Sequence, residues 1–277
     1  MIKFFPMIST HTLCGRFCRY ITWVCIYSIT LNGISNALGP LIDRSSEPDL
    51  MVDAYSPCDA RHPTCFWPSY VNQVFGYMCT SLVQMGCDNL VYNTMERIST
   101  HFRILEHRML LLPKLVGANK CQETRYLKQC IRDHQSINET IKDLNEAFYE
   151  QIFIQFLTSI SVLCTNIYLL SILDLMSSDF LSVFAFLCCA LIENFFYCWY
   201  GYGVLMSSLH VSDAIANMDW WELTKESKQM LTFVMLQTSR KVYICKNAIS
   251  TLTPEAFVNI LKVSYSAFNI LQKTSKK

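Results

Sequence analysis

The chain has 277 residues, of which 52% are hydrophobic and 16% charged, with a formal net charge of +1. Soluble domains carry about 25% charged residues, so this composition argues against a soluble globule. A nearly neutral chain also gives no electrostatic case for a nucleic-acid partner.

The missing charge is concentrated in long runs. Residues 20–42 and 151–173 are each 23 residues without a charge. Both exceed the roughly 20 residues that a helix needs to cross a bilayer, whereas soluble helices average about 11–12. The first run is too long for a secretory signal and lacks a small-residue cleavage site. Residues 65–87 are uncharged too, though Asn72, Gln73 and Gln84 weaken them as a span. Residues 91–112 read as the continuation of that second helix, ended by Pro113. A turn at 117–123 follows. Ile137, Ile141, Leu144, Phe148 and Ile152 then recur at helical spacing, which predicts one helix running on into the third span. The fourth run, 180–192, passes Glu193 and continues through 194–206 into the aromatic cluster Phe195-Phe196-Tyr197-Cys198-Trp199-Tyr200.

Chemistry-bearing motifs are absent. His101 and His107 are not at metal-ligand spacing, and no nucleophile elbow or phosphate loop occurs, so the chain reads as a non-enzyme without cofactor or metal. Most of the 14 cysteines read as small apolar packing residues. Cys58 and Cys65 are placed for a local disulfide in an outer loop. Asn138-Glu139-Thr140 fits a glycosylation sequon but falls on the side where it has no use.

Basic residues set the orientation. The leading segment has Lys3, Arg16 and Arg19 and no acid, while the 43–64 loop has Arg44 and Arg61 against five acids. Residues 88–150 hold nine Lys or Arg, 174–179 none, 213–252 five, and the tail Lys273, Lys276 and Lys277. Placing the N-terminus inside puts seventeen basic residues in the cytoplasm and five outside. The expected organisation is two spans with their outer loop (1–87), a cytoplasmic helical extension (88–150), two more spans (151–212), a cytoplasmic region (213–252) and a last helix with its tail (253–277).

That last helix carries a polar stripe. Glu255, Asn259, Lys262, Ser266, Asn269 and Lys273 recur at steps of four and three, which stacks them on one helical face. Within a membrane such a face must meet water or protein, because unsatisfied polar groups in hydrocarbon are costly. Thr253 is suited as N-cap, Pro254 to the first turn, and Glu255 to the positive helix end.

The block 195–271 resembles the C-terminal region of insect odorant receptors. The matching pieces are Phe196-Tyr197-Cys198-Trp199-Tyr200-Gly201, Asp213-Ala214-Ile215, Asp219-Trp220-Trp221-Glu222-Leu223, Leu252-Thr253-Pro254-Glu255-Ala256-Phe257 and Ile260 through Phe268. The chain departs from the family at Ala216, Lys241 and Asn247. The resemblance implies an all-α, polytopic membrane helical bundle with a cytoplasmic N-terminus and a pore-lining last helix, of which this chain carries five spans of seven. It also implies an odorant-gated, non-selective cation channel in the plasma membrane of sensory dendrites, assembled as a heterotetramer with a co-receptor. Small volatile ligands would bind in the outer half of the membrane. A gustatory-receptor-like channel subunit or a non-functional fragment are the alternatives. The tail Ser264-Tyr265-Ser266-Ala267-Phe268 departs from the gustatory pattern of Thr-Tyr followed by Gln-Phe.

On that resemblance Ile270 is the hydrophobic gate, roughly 65° around the helix from the stripe centre at Lys262, Ser266, Asn269 and Lys273. Candidate ligand-pocket residues are Asn32, Ser35, Gln73, Tyr77, Phe184 and Leu187, in the outer halves of three spans. Glu193 is an intramembrane acid with either a functional or a packing role. On the resemblance, Trp220 and Trp221 are expected to pack in the cytoplasmic anchor that holds the subunits together rather than to touch ligand.

Overall fold

A computed structural model describes residues 20, 23, 27, 30, 33, 34, 63–116, 120–175, 177–245 and 251–275. The chain divides into two compact units, Met1–Val91 and Tyr92–Lys277. The helices are α1 (Pro63–Val116), α2 (Lys120–Ile172), α3 (Ser178–Asn217), a 3₁₀ turn (Trp220–Glu222), α4 (Lys225–Thr238) and α5 (Pro254–Ser275). No strand occurs among the described residues.

In the first unit, the start of α1 is apolar and exposed, with Trp67, Val71, Phe75, Leu82 and Val83 all facing outward. Phe66 and Tyr70 turn the other way and stack on one another at 5.5 Å. Gly33 lies against the Tyr77 ring and the Met78 sulfur. Cys65 is disulfide-bonded; Cys58, the partner suggested by the sequence, lies outside the described residues.

α1 has 54 residues and α2 has 53, each about 80 Å long at 1.5 Å per residue. Both are thus single helices, α1 passing from an apolar run into a charged one and α2 from a charged run into an apolar one. α1 continues three residues beyond the expected stop at Pro113. The ring removes one hydrogen bond, to the Met109 carbonyl, but Leu112 and Pro113 are buried and packing holds the last turn.

The charged halves of α1 and α2 form an antiparallel hairpin in the second unit. Its buried residues are Ile98, Phe102, Leu105, Met109 and Leu112 on α1, and Leu127, Cys130, His134, Ile137, Ile141 and Leu144 on α2. Alternating steps of three and four are those of a coiled-coil seam. Phe102 meets the His134 ring at 6.2 Å, and Arg108 pairs with Asp133 at 2.6 Å. Beside the seam lies a groove of about 390 Å³, floored by Ile98, Leu105 and Ile137.

α3 starts on Ser177, whose hydroxyl caps the Phe180 amide. Its middle packs on α1 and α2 through aromatic rings. Tyr92 meets Tyr197 at 4.9 Å and stacks on Tyr200 at 5.5 Å, while Phe156 meets Tyr197 at 6.3 Å. α4 is capped twice. Thr224 caps Ser227, and the buried Glu123 of α2 accepts both the Thr224 backbone N–H and its hydroxyl at 2.9 Å. A carboxylate at a helix N-terminus also complements the helix dipole.

Two described helices, Gln122–Ile172 and Asp179–Asn217, are long and apolar enough to cross a membrane. Five spans were expected. The run 20–42 lies almost wholly outside the described residues, and 65–87 and 253–272 are diluted by the polar residues already named.

Gly201 has a structural reason. A Cβ built there would sit 2.3 Å from Leu252 Cβ and 2.8 Å from the Leu252 carbonyl oxygen. Real Cβ atoms do not tolerate such distances, so α3 and the entry to α5 touch at this depth only because position 201 has no side chain. Gly201→Ala is expected to destabilise the chain by about 1–3 kcal/mol through overpacking, read as a lower melting temperature in detergent. Leu252→Ala should not rescue it, because alanine keeps the clashing Cβ.

Candidate functional site

α5 begins as its sequence predicts. Thr253 Oγ1 accepts the Ala256 amide at 3.4 Å, the Thr253 carbonyl accepts from Phe257, and Pro254 and Glu255 occupy the first turn.

One face of the helix is held by its own chain. Ile260 and Ser264 are buried at 3% and 0% exposure, and the Ser264 hydroxyl donates to the Ile160 carbonyl of α2 at 3.5 Å. Phe257 meets Phe195 of α3 edge-on at 5.8 Å. At the base, Leu252 rests on Gly201 and its N–H donates to the Ile244 carbonyl at 3.4 Å. Asn145 of α2 accepts the Cys245 N–H at 2.9 Å, holding Cys245 in a left-handed conformation at φ 51.

The opposite face is left over. Lys262, Ser266, Ile270 and Lys273 are exposed, and Asn269 is half-buried at their edge. Ile270 is 67% exposed, high for a branched apolar residue. At about 100° per residue, Lys262 and Ser266 lie opposite Ile260 and Ser264. The stripe therefore turns away from α2 and α3, the described helices on which α5 is seated.

The other predicted residues are dispersed. Asn32 and Ser35 lie outside the described residues. On α1, Gln73 is half-buried and Tyr77 exposed, four residues apart along one face. On α3, Phe184 stacks on Phe180 at 6.3 Å and is exposed, and Leu187 is half-buried. Among the described residues no group of three metal-ligating side chains occurs. Trp220 and Trp221 are exposed in the single chain. Lys228 holds this pair by donating to the Trp221 carbonyl at 2.9 Å while its ammonium lies 6.0 Å from the Trp220 ring.

Glu193 resolves toward a helix–helix contact. Its carboxylate accepts a hydrogen bond from the Gln155 amide of α2, and its backbone carbonyl accepts from the Tyr92 hydroxyl at 3.3 Å. Sequence reading missed Gln155, one of two glutamines, with Gln151, near the start of its apolar run. Asn194 was missed as well. It is 1% exposed, its amide donates to the Ala190 carbonyl at 2.7 Å, and its Oδ1 is buried without a partner.

Comparison with known proteins agrees with this architecture. A family model described as 7tm Odorant receptor matches residues 7–265. Odorant receptor Or2 of Anopheles gambiae is 28% identical over 53% of this chain and 39% of its own length. Odorant receptor 46a, isoform A, of Drosophila melanogaster is 23% identical over 82% of this chain and 60% of its own. The solved structure of the insect olfactory receptor OR5 from Machilis hrabei in complex with eugenol superposes with a TM-score of 0.82 at 14% identity, covering 97% of this chain and 68% of that one. The chain thus spans roughly 40 to 60% of the length of these two curated relatives. The relatives are receptors rather than enzymes, and the shared fold is a polytopic membrane helical bundle. The chain belongs to the 7tm odorant receptor family of insects.

Proposed function

We propose that this chain is a subunit of a heteromeric, odorant-gated, non-selective cation channel, assembled with a co-receptor in the plasma membrane of sensory neurons. The observation that carries this reading is the α5 stripe. A helix seated by one face on α2 and α3, with the charged Lys262 and Lys273 turned away, presents groups that lipid would not tolerate, while the Ser266 hydroxyl between them is met by the Lys262 carbonyl at 2.8 Å. A water-filled path shared between subunits gives them a partner. Ile270 at the edge of the stripe is a branched apolar side chain suited to closing such a path by dewetting.

Small, largely apolar volatiles are the ligand class. The eugenol bound to the related OR5 structure is such a molecule. The side chains of the kind that such ligands need are Gln73 and Tyr77, with Asn32 and Ser35, in the first unit and, taken separately, Phe184 and Leu187 in the second.

Co-expression with the co-receptor is expected to give odorant-evoked cation current, with none from this chain alone. Silence toward every odorant despite surface expression would contradict the reading. Ile270→Ala should raise the odorant-independent leak more than Ser266→Ala does. An equal or smaller leak would remove Ile270 from the gate. Lys273 sits near the outer end of α5, where its charge repels cations, so Lys273→Gln should raise single-channel cation conductance at low ionic strength and have a smaller effect in high salt.

A further inference from the structure

We propose that His134 is a proton-binding switch in the helical hairpin of α1 and α2, opening the hairpin when the surrounding solution turns acid. The hairpin seam is built from apolar side chains at coiled-coil spacing, and His134 occupies a seam position at 4% exposure. Its ring faces Phe102 at 6.2 Å and neighbours the Asn138 amide at 3.3 Å from Nδ1. The amide nitrogen is a donor, so this contact is made by the neutral ring with Nδ1 as acceptor. Protonation places a charge in a buried, apolar seam, where an ionised group is costly.

No neighbouring charge offsets that penalty. On the facing stretch of α1 the charged and titratable groups are His101, Arg103, Glu106, His107 and Arg108. On α2 they are Lys128, Cys130, Arg132, Asp133, Glu139, Lys142 and Asp143, of which Lys128, Arg132, Glu139, Lys142 and Asp143 are exposed. Arg108 and Asp133 satisfy each other at 2.6 Å. Burial pushes the Cys130 thiol up to about 11, which keeps it neutral. On the elements packed beyond, His210, Asp213, Lys225 and Glu226 are exposed, and Lys228 is engaged with Trp221. Burial alone lowers the His134 pKa from its ordinary 6.5.

The sign follows from linkage. A histidine whose folded pKa is depressed leaves stability complete above pH 6.5, and that stability falls as pH drops from there toward the lower folded value. One proton can shift the opening equilibrium by at most about tenfold per pH unit. The loss would be felt at α5, because Asn145, next to the seam residue Leu144, holds the Cys245 amide at the helix base. That the hairpin faces the cytosol rests on the topology proposed above, whereas the local opening does not.

The test is hydrogen exchange on the full chain in detergent at pH 7.4 and 5.5, corrected for the intrinsic pH dependence of exchange. Amides in 98–112 and 127–144 should open up to about tenfold more often at pH 5.5, and both His134→Leu and His134→Gln should abolish the difference. A double His101→Gln, His107→Gln variant should keep it. Wild-type protection that does not change with pH overturns the proposal by itself. So does an acid response that survives in both His134 variants or is lost in the double variant.

Discussion

The seating of α5 on α2 and α3 is the constraint on which the rest depends. A helix of 22 residues with alternating polar and apolar positions can be read two ways until one face is fixed. Here the fixing contacts are short-range and specific. Ile260 and Ser264 go into the bundle, Phe257 meets Phe195, and Leu252 lies on a position that admits no side chain. Once these are set, helical geometry leaves Lys262, Ser266 and Lys273 no choice of direction. Ser264 matters here because it is polar yet wholly buried. Its hydroxyl bonds a carbonyl of α2 and so ties it to the seat, whereas Ser266, two residues on, bonds back to the Lys262 carbonyl of its own helix.

The same logic of satisfying polar groups runs through the apolar helices. Glu193 is met by Gln155, and Tyr92 reaches the Glu193 carbonyl. Ser159 and Asn166 bond carbonyls one turn back on their own helix. An acid in a long apolar run is therefore held between two helices. Among the described residues Asn194 Oδ1 and, on α1, Glu96 Oε1 are buried acceptors without a partner, and such groups carry a cost that neighbouring contacts must offset.

Much of this was legible from residue order. Capping by Thr253, Pro254 and Glu255, the uninterrupted passage from charged to apolar helix in α2, and the polar stripe all follow from local periodicity, which is what sequence encodes directly. The heptad seam of the hairpin was half legible, since only its α2 side was noticed. Less legible were contacts between residues about 100 positions apart. Glu123 capping Thr224 and Asn145 holding Cys245 leave no periodic trace. Gly201 was visible only as one letter in a matching motif, because its importance lies in what it lacks. Trp220 and Trp221, expected to pack in the anchor, are exposed in the single chain, with a lysine beside them. Pro113 shows packing overriding a local stop signal.

The central claim is that the leftover face of α5 meets water in the assembled receptor. Cysteine accessibility tests it most directly, using a membrane-impermeant cationic methanethiosulfonate on odorant-activated receptors co-expressed with the co-receptor. Ser266→Cys should be modified, with current reduced relative to wild type under the same reagent, and Ile260→Cys should be untouched. Protection of Ser266→Cys together with modification of Ile260→Cys would place the seat and the free face the wrong way round and contradict the account.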